Sequence, residues 1–397
     1  MTLQATYTGL RVLDFSTNIA GPFAAMILGD LGADVIKVER PPLGDDTRSL
    51  PPQWHGQATV FLAVNRNKRS VVLDIKTPEG REALLKLVAG ADVVIESFPP
   101  GVGAELGLTD ARFRECNRRV IVCSISAFGS GPLGSKVPGY DALVQAVSGM
   151  MSFTGDPAGP TVRIAPSLLD LTTGMWGAIA IMGALARRTS ASEGEHIQLA
   201  LLDSAFTLMC HQVLGFLATG DLPVKLGSGA PSAAPYRVYK AADGEFMLAT
   251  ATDAQFARVC RALDLTSLAQ DERFRTVSGR LAARADLDAL LSERFGQDTV
   301  EVWLQRLHAA GISAGRVNDL RQSLESELTV ERHLLIGPDQ TVWPAGMPLL
   351  RLPVDAEGAG ASRPPPRLGE HSVEVLSACG YDAETIARLT SLTTSRR

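Results

Sequence analysis

"LRVLDFSTNIAGPFAAMILGDLGADVIKVER", Leu10 to Arg40, decides the fold. "LRVLDF" is a short β-rich run, "STNIAGPFAAMILGDLGA" carries Ser, Thr and Asn at its head and Gly at its tail as a helix does, and "DVIKVER" is strand again. That is one βαβ unit. The pattern returns in "RSVVLDI", in "KTPEGREALLKLVAGA" with Thr77 as N-cap and Pro78 in the first turn, and in "DVVIESF". "RRVIVCSISAF" adds a further apolar strand. Nearly continuous Val/Ile runs alternating with helices predict a parallel sheet covered on both faces, a large doubly wound, Rossmann-like α/β domain.

The chain has 397 residues, more than the roughly 250 to 300 at which a single core stops growing, so two domains are expected. "YDALVQAVSGMMSF" and "SLLDLTTGMWGAIAIMGALARR" read as helices, and "EHIQLALLDSAFTLMCHQVLGFLATG" as a strand followed by one long helix. The style changes near residue 220, where "LPVKLGSGAPSAAP" has the Gly, Pro and Ser of a linker or mobile loop. Beyond it, "YRVYKAADGEFMLAT" alternates on both sides of Asp243-Gly244, which predicts a hairpin through a turn with positive φ. Helical patterns and "GISAGRV" complete a smaller α+β unit, and two short helices end the chain. The expected layout is a large domain over 1–200, rejoined by a segment from about 340 to 397, and a small α+β domain over 225–335. Linkers are expected at about 201–224 and 336–370.

A net charge of -5 without a Lys/Arg-rich run argues against a nucleic-acid partner. The N-terminus lacks the basic head and apolar core of a signal peptide, so a cytoplasmic location is expected. The apolar run from Gly174 to Ala186 falls short of the roughly 20 residues that span a bilayer, so no membrane role is expected. Five cysteines without a CxxC and six scattered histidines suggest neither a disulfide framework nor a metal site. The first βα turn has one glycine, Gly21, where a dinucleotide site needs G-x-G-x-x-G, which argues against NAD although Glu39 ends the second strand.

Asp170 stands among leucines at the head of an apolar helix. An unpaired buried charge is costly, so the residue must cap the helix, pair, or do chemistry. Asp is a leading N-cap residue, and a carboxylate kept ionised by the helix dipole can also serve as a nucleophile. Arg40 and Lys76 follow strands, at the end of the sheet where phosphates bind, or are solvated strand ends. Arg48 and Arg163 either fork onto a substrate carboxylate or are surface charges.

"GDLGADVIKVERPPLGDDTR", "NRNKRSVVLDIKTPEG", "SISAFG", "PGYD", "LLDLTTG" and "PPPRLGEHS" together resemble the family III CoA-transferases over nearly the whole chain. "GDDTR", "VNRNKRSV", "DAQFARVCRALDL" and the tail look most similar to the succinyl-CoA:glutarate type, which exchange CoA between dicarboxylic acids. The resemblance implies that Asp170 is the nucleophile, passing through a mixed anhydride and an aspartyl-CoA thioester, with acyl-CoA as substrate and no tightly bound cofactor or metal. It implies CoA contacts at Ile19, Ala20, Arg40, Leu73, Lys76, Ser97, Phe98 and Pro99, and at Tyr140 and Asp141 of "PGYD". It further implies an interlocked homodimer, and a glycine-rich lid matching Gly227, Ser228 and Gly229, which as residues alone read equally as linker. Glu105 departs from the family, which often carries a basic residue nearby. Racemases of 2-methylacyl-CoA resemble the chain around "PGYD" but use a histidine as base where this chain has Tyr140, whose phenol is a poor base at neutral pH. A CoA-binding protein without turnover would keep the basic residues but need no acid at Asp170.

Overall fold

A computed structural model of the chain describes residues 3–188, 193–336, 348–354 and 363–390. The chain divides into two compact units, one of Met1–Met150, Arg163–Thr219 and His333–Arg397, the other of Met151–Val162 and Gly220–Arg332. Residues 337–347 and 355–362 of the expected linker at 336–370 lie outside the described residues.

In chain order the first unit runs β1 (Arg11–Asp14), α1 (Ala20–Asp30), β2 (Asp34–Glu39), a small hairpin of β3 (Gln53–Trp54) and β4 (Gln57–Ala58), α2 (Thr59–Val64), β5 (Lys68–Val72), α3 (Pro78–Ala89) and β6 (Val93–Glu96). It continues with α4 (Val102–Glu105), α5 (Asp110–Cys116), β7 (Ile121–Ser126), α6 (Asp141–Val147), α7 (Leu168–Arg188), β8 (His196–Ala200), α8 (Leu201–Leu208) and α9 (Cys210–Thr219). Six strands form one all-parallel sheet in the order β5-β2-β1-β6-β7-β8. The strand order reverses between β1 and β6, which opens a crevice beyond their carboxyl ends. Leu13, Ile36, Val71, Val94 and Val122 pack under Leu84, Leu87 and Val88 of α3 and Phe113 of α5. Val375, Leu376, Ile386 and Leu389, from the helices Ser372–Ala378 and Ala383–Leu389, enter the same core.

On the sheet's other face α7 lies along α1. A Cβ on Gly174 would stand 2.6 Å from the Ala20 carbonyl oxygen, which only glycine avoids without a backbone shift, and one on Gly177 would make a tight 3.3 Å contact with Ala24 Cβ. The pairs Gly174 with Ala20 and Gly177 with Ala24 run in the same chain direction, which sets the two helix heads at the same end of the sheet. At 21 residues α7 exceeds the apolar run read from the sequence and has the length of a membrane span. Its Gly/Ala/Thr face is nonetheless buried inside this unit. Residues 201–219, expected as linker or as one long helix, form two helices bent by 68°.

Beneath the ends of β1 and β2 lies a buried ionic cluster. Lys68 Nζ donates to Asp14 (2.8 Å), Asn65 Oδ1 (2.8 Å) and the Pro22 carbonyl (2.8 Å), while Lys37 Nζ reaches Asp45 (2.9 Å) and the Ser16 carbonyl (2.9 Å). Burial alone would push Asp14 up, but the two ammonium groups hold it below the usual carboxylate range. Through these bonds the β1–α1 turn and the loop after β2 are tied to the sheet, and Asn18 N–H also donates to Asp45 (3.3 Å).

The second unit has a three-stranded antiparallel sheet, β11-β10-β9, made of β9 (Tyr236–Lys240), β10 (Glu245–Ala249) and β11 (Ser313–Arg316). Phe246, Phe295 and Trp303 centre its core. The β9–β10 hairpin forms as the alternation predicts, but Lys240 pairs with Glu245 across a four-residue loop, and neither Asp243 nor Gly244 takes positive φ. Asp243 instead accepts the Val300 N–H (2.7 Å), a tertiary bond that holds the longer turn.

Gly174→Ala must push a methyl group against a backbone oxygen, at a cost of about 1–3 kcal/mol. A lower Tm and a loss of activity are expected, whereas Gly183→Ala on the same helix meets open space and should hold or raise Tm. Equal Tm values for the two variants in a thermal melt would contradict the close approach.

Candidate active site

The head of α7 is capped from another helix. Asp141, the first residue of α6, is buried and its Oδ2 accepts the N–H groups of Leu169 (2.8 Å) and Asp170 (3.2 Å). Its Oδ1 accepts from Gln145 Nε2 (2.6 Å). Asp170 is therefore not the N-cap that its place in the sequence suggests. It is the third residue of α7, half-buried, and its carboxylate has no hydrogen-bond or ion-pair partner among the described residues. Nor does the dipole keep it readily ionised, as expected from the sequence. Burial, and then the Asp141 charge beside it, push its pKa up from 3.8 to about 7. Asp141 takes up the amide donors that would otherwise favour the Asp170 anion.

Asp170 lies one helical turn before Gly174, on the face of α7 turned to α1. The head of α1 has no side-chain cap, with Ile19 at the N-cap position. Its first amide groups thus meet the same end of the fold as the Asp170 carboxyl.

Of the positions implied for CoA, those after β1 and β6 meet at the crevice, while those after β2 and β5 lie further along the sheet. Thr17 N–H donates to Ser97 Oγ (3.0 Å), which joins the turn bearing Ile19 and Ala20 to the turn bearing Ser97, Phe98 and Pro99. Glu96 holds that second turn by accepting the Phe98 N–H (2.7 Å). Arg40 follows β2 with its exposed guanidinium on Asp46, and Leu73 follows β5, buried, with its N–H on the Glu39 carbonyl (2.9 Å). Lys76 and Glu105 are exposed. Tyr140 is 72% exposed, directly before Asp141.

Two expectations change. The Arg48 fork is already filled: Nε and Nη2 bind Glu39 (2.7 Å each), both terminal nitrogens reach the Pro366 carbonyl (3.2 Å), and the group stacks on Phe61. Arg48 is a structural residue, not a free receptor for a substrate carboxylate. It borders a cavity of about 250 Å³ with Phe61, Gln57 and Arg367, and none of the cavity's lining residues comes from α1, α6 or α7. Gly227, Ser228 and Gly229 form a fixed turn within the second unit: Gly227 N–H donates to the Gly155 carbonyl (2.9 Å) and Ser228 Oγ accepts the Val238 N–H (3.0 Å). Arg163 is exposed, with Nη1 on the carbonyls of Ile164 (3.1 Å) and Ala165 (2.6 Å).

Gln145 escaped the sequence reading, because a glutamine inside "YDALVQAV" carries no motif of its own. Its i+4 spacing from Asp141 was the available signal. The burial of Lys37 and Lys68 escaped too, since a lysine within a strand run gives no sign of it.

A fold of this kind with a lone, high-pKa carboxyl at a helix junction suits an enzyme active site, and comparison with known proteins specifies the class. Residues 7–372 match the model of CoA-transferase family III. The chain belongs to that family and is a CoA-transferase whose CoA thioester is a substrate. It is 36% identical to a succinate–glutarate CoA-transferase of Agrobacterium fabrum, covering 96% of each chain. It is 35% identical to a human succinyl-CoA:glutarate CoA-transferase, covering 96% of this chain and 88% of the human one. Among solved structures, a CAIB/BAIF family protein from Brucella suis superposes with a TM-score of 0.83 at 37% identity, covering 94% of this chain and 98% of that one.

A carboxyl whose pKa is raised on folding is destabilising once ionised. The cost is absent below about pH 4, grows as pH rises towards 7, and is full above it. Asp170→Asn should therefore raise Tm by a few degrees, on the order of 2–4 °C, at pH 8, with little change at pH 4. A melt series across pH that shows the same small difference throughout would mean the carboxyl is unperturbed.

Proposed function

We propose that the protein moves CoA from succinyl-CoA to a second dicarboxylic acid through covalent intermediates on Asp170. The observation that carries this is the Asp170 carboxyl itself: half-buried, without a partner among the described residues, with a pKa near 7, and at the same end of the fold as the head of α1, which has no side-chain cap. A raised pKa makes the ionised carboxylate a stronger nucleophile than a solvated one, and still leaves about half of it ionised at pH 7.

The cycle balances without a net proton. An Asp170 oxygen attacks the donor thioester carbonyl, the C–S bond breaks, and CoA leaves as thiolate from a mixed anhydride. The thiolate then attacks the aspartyl carbonyl and expels the donor acid as its carboxylate, leaving an aspartyl-CoA thioester. The acceptor carboxylate repeats the exchange in reverse and frees Asp170. Both intermediates hydrolyse if wetted, and the buried Leu169 and the apolar flank of α7 keep water away.

In this reading the turns at Ile19–Ala20 and Ser97–Pro99 hold the pantetheine arm, with Leu73 and Tyr140 alongside, while Arg40 and Lys76 meet the phosphates. Glu105 adds no positive charge there. Arg163, whose Nε and Nη2 have no partner among the described residues, meets the far carboxylate of a dicarboxylic acid, a substrate class supported by the names of the relatives. A homodimer is supported by apolar side chains left exposed in the first unit: Met175, Trp176 and Ile179 of α7, Phe206 of α8, and Leu214 and Leu217 of α9.

Incubation with succinyl-CoA followed by hydroxylamine should leave a hydroxamate on the Asp170 peptide, detectable by mass spectrometry. The rate should rise with pH to a plateau with a midpoint near 7, as the carboxyl ionises. Asp170→Ala should lose both label and transfer. An active alanine variant would overturn the reading. Sedimentation should give a dimer for the wild type, and Leu217→Glu should shift it towards monomer; a monomeric wild type would remove the dimer from the proposal.

A further inference from the structure

The geometry points to Gln145 as a positioning residue for the transfer reaction, one that locks the Asp141 carboxylate onto the head of α7 and fixes the segment leading into that helix. The inference rests on Asp170 being the nucleophile, and deepens that reading.

Gln145 is 0% exposed, so its amide must satisfy its hydrogen bonds inside the protein. It does so on two targets. Nε2 donates to Asp141 Oδ1 (2.6 Å) and to the Ile164 carbonyl (3.3 Å), and Oε1 accepts the Ile164 N–H (2.8 Å). Both targets lead to Asp170. Asp141, so held, accepts the N–H groups of Leu169 and Asp170 with its other oxygen. Ile164 begins the short run into α7, whose first turn is tightened by the Leu168 N–H on the Pro166 carbonyl (2.8 Å). One side chain thus fixes the nucleophile's helix from its capping residue and from its entering backbone. An amide suits this place because it must donate to a carboxylate while both accepting from and donating to the backbone of one residue, Ile164.

The second consequence is electrostatic. Elements packed against α7 carry Asp30 on α1, Asp141 on α6, Cys123 on β7, His196 on β8 and Asp203 on α8, and Arg163 stands in the lead-in. Of these only Asp141 acts on Asp170. Whatever holds the Asp141 charge against the head of α7 therefore tunes the nucleophile. Gln145 does this without touching substrate.

The test uses the full chain with succinyl-CoA as donor and glutarate as acceptor, and reads kcat, KM for succinyl-CoA and the pH midpoint of the rate. Gln145→Glu keeps the shape and can accept from Ile164 but, once ionised, cannot donate to Asp141, so a second charge accumulates and the midpoint should rise. Gln145→Leu frees Asp141 to turn away from α7, and the midpoint should fall. For both, kcat should drop roughly 10- to 100-fold while KM stays within about 3-fold. If the leucine variant does not fold, the isosteric glutamate variant decides. A midpoint unmoved, or moved the other way, in the folded variants overturns the positioning role, even if kcat falls. Asp170→Asn separates the two readings. An inactive Asp170→Asn with unmoved Gln145 midpoints removes the positioning role alone, whereas an active Asp170→Asn removes the nucleophile and this inference with it.

Discussion

The Asp141 carboxylate seated on the amides of Leu169 and Asp170 is the interaction from which the rest of the site follows. A helix head ordinarily offers its free N–H groups to nearby anions and lowers their pKa. Here a second helix supplies one carboxylate to consume those groups, and the other carboxylate, Asp170, finds no donor among the described residues and keeps only part of its solvent. Two acids that meet at one helix head are thereby driven apart. One is hydrogen-bonded and structural, while burial and its neighbour's charge leave the other with a raised pKa.

That arrangement needs a rigid floor, supplied by the close pairing of α1 and α7 through Gly174 and Gly177 and by the ionic cluster of Asp14, Lys37, Lys68 and Asp45. Removing one member of such a cluster strands its partner in a dry interior, at a cost of about 3–5 kcal/mol. The cluster ties the β1–α1 turn and the loop after β2 into one piece, so the crevice mouth is built before any ligand enters. Preorganisation of this kind limits the reordering that binding would otherwise require.

The parallel sheet was legible because its strands are buried on both faces and read as unbroken Val/Ile runs, "DVIKVE" and "DVVIE" among them. Asp170 was legible as an anomaly, an acid among leucines, and resemblance assigned its role. Its local setting was not. The capping partner comes from 29 residues upstream, and no spacing rule reaches that far. Arg48 misled for a related reason. A sequence shows a guanidinium but not which acid it meets, and Glu39, nine residues earlier, reads there as a ribose ligand. The Asp243-Gly244 turn shows the same limit at short range, since a tertiary bond to Val300 replaced the tight turn that the dipeptide favours in isolation.

β5 is the sheet's edge, and the late segment of the chain closes it: His371 N–H donates to the Ser70 carbonyl, Ser372 Oγ accepts the Val72 N–H, and the Pro366 carbonyl finishes the bonding of Arg48. These partners stand about 300 positions apart, so on the ribosome the flank made first must wait for the last residues to emerge. Throughout synthesis the nascent protein carries an open strand able to pair with strangers. Premature termination or proteolytic clipping near residue 363 would therefore recreate that sticky intermediate instead of a slightly shortened enzyme.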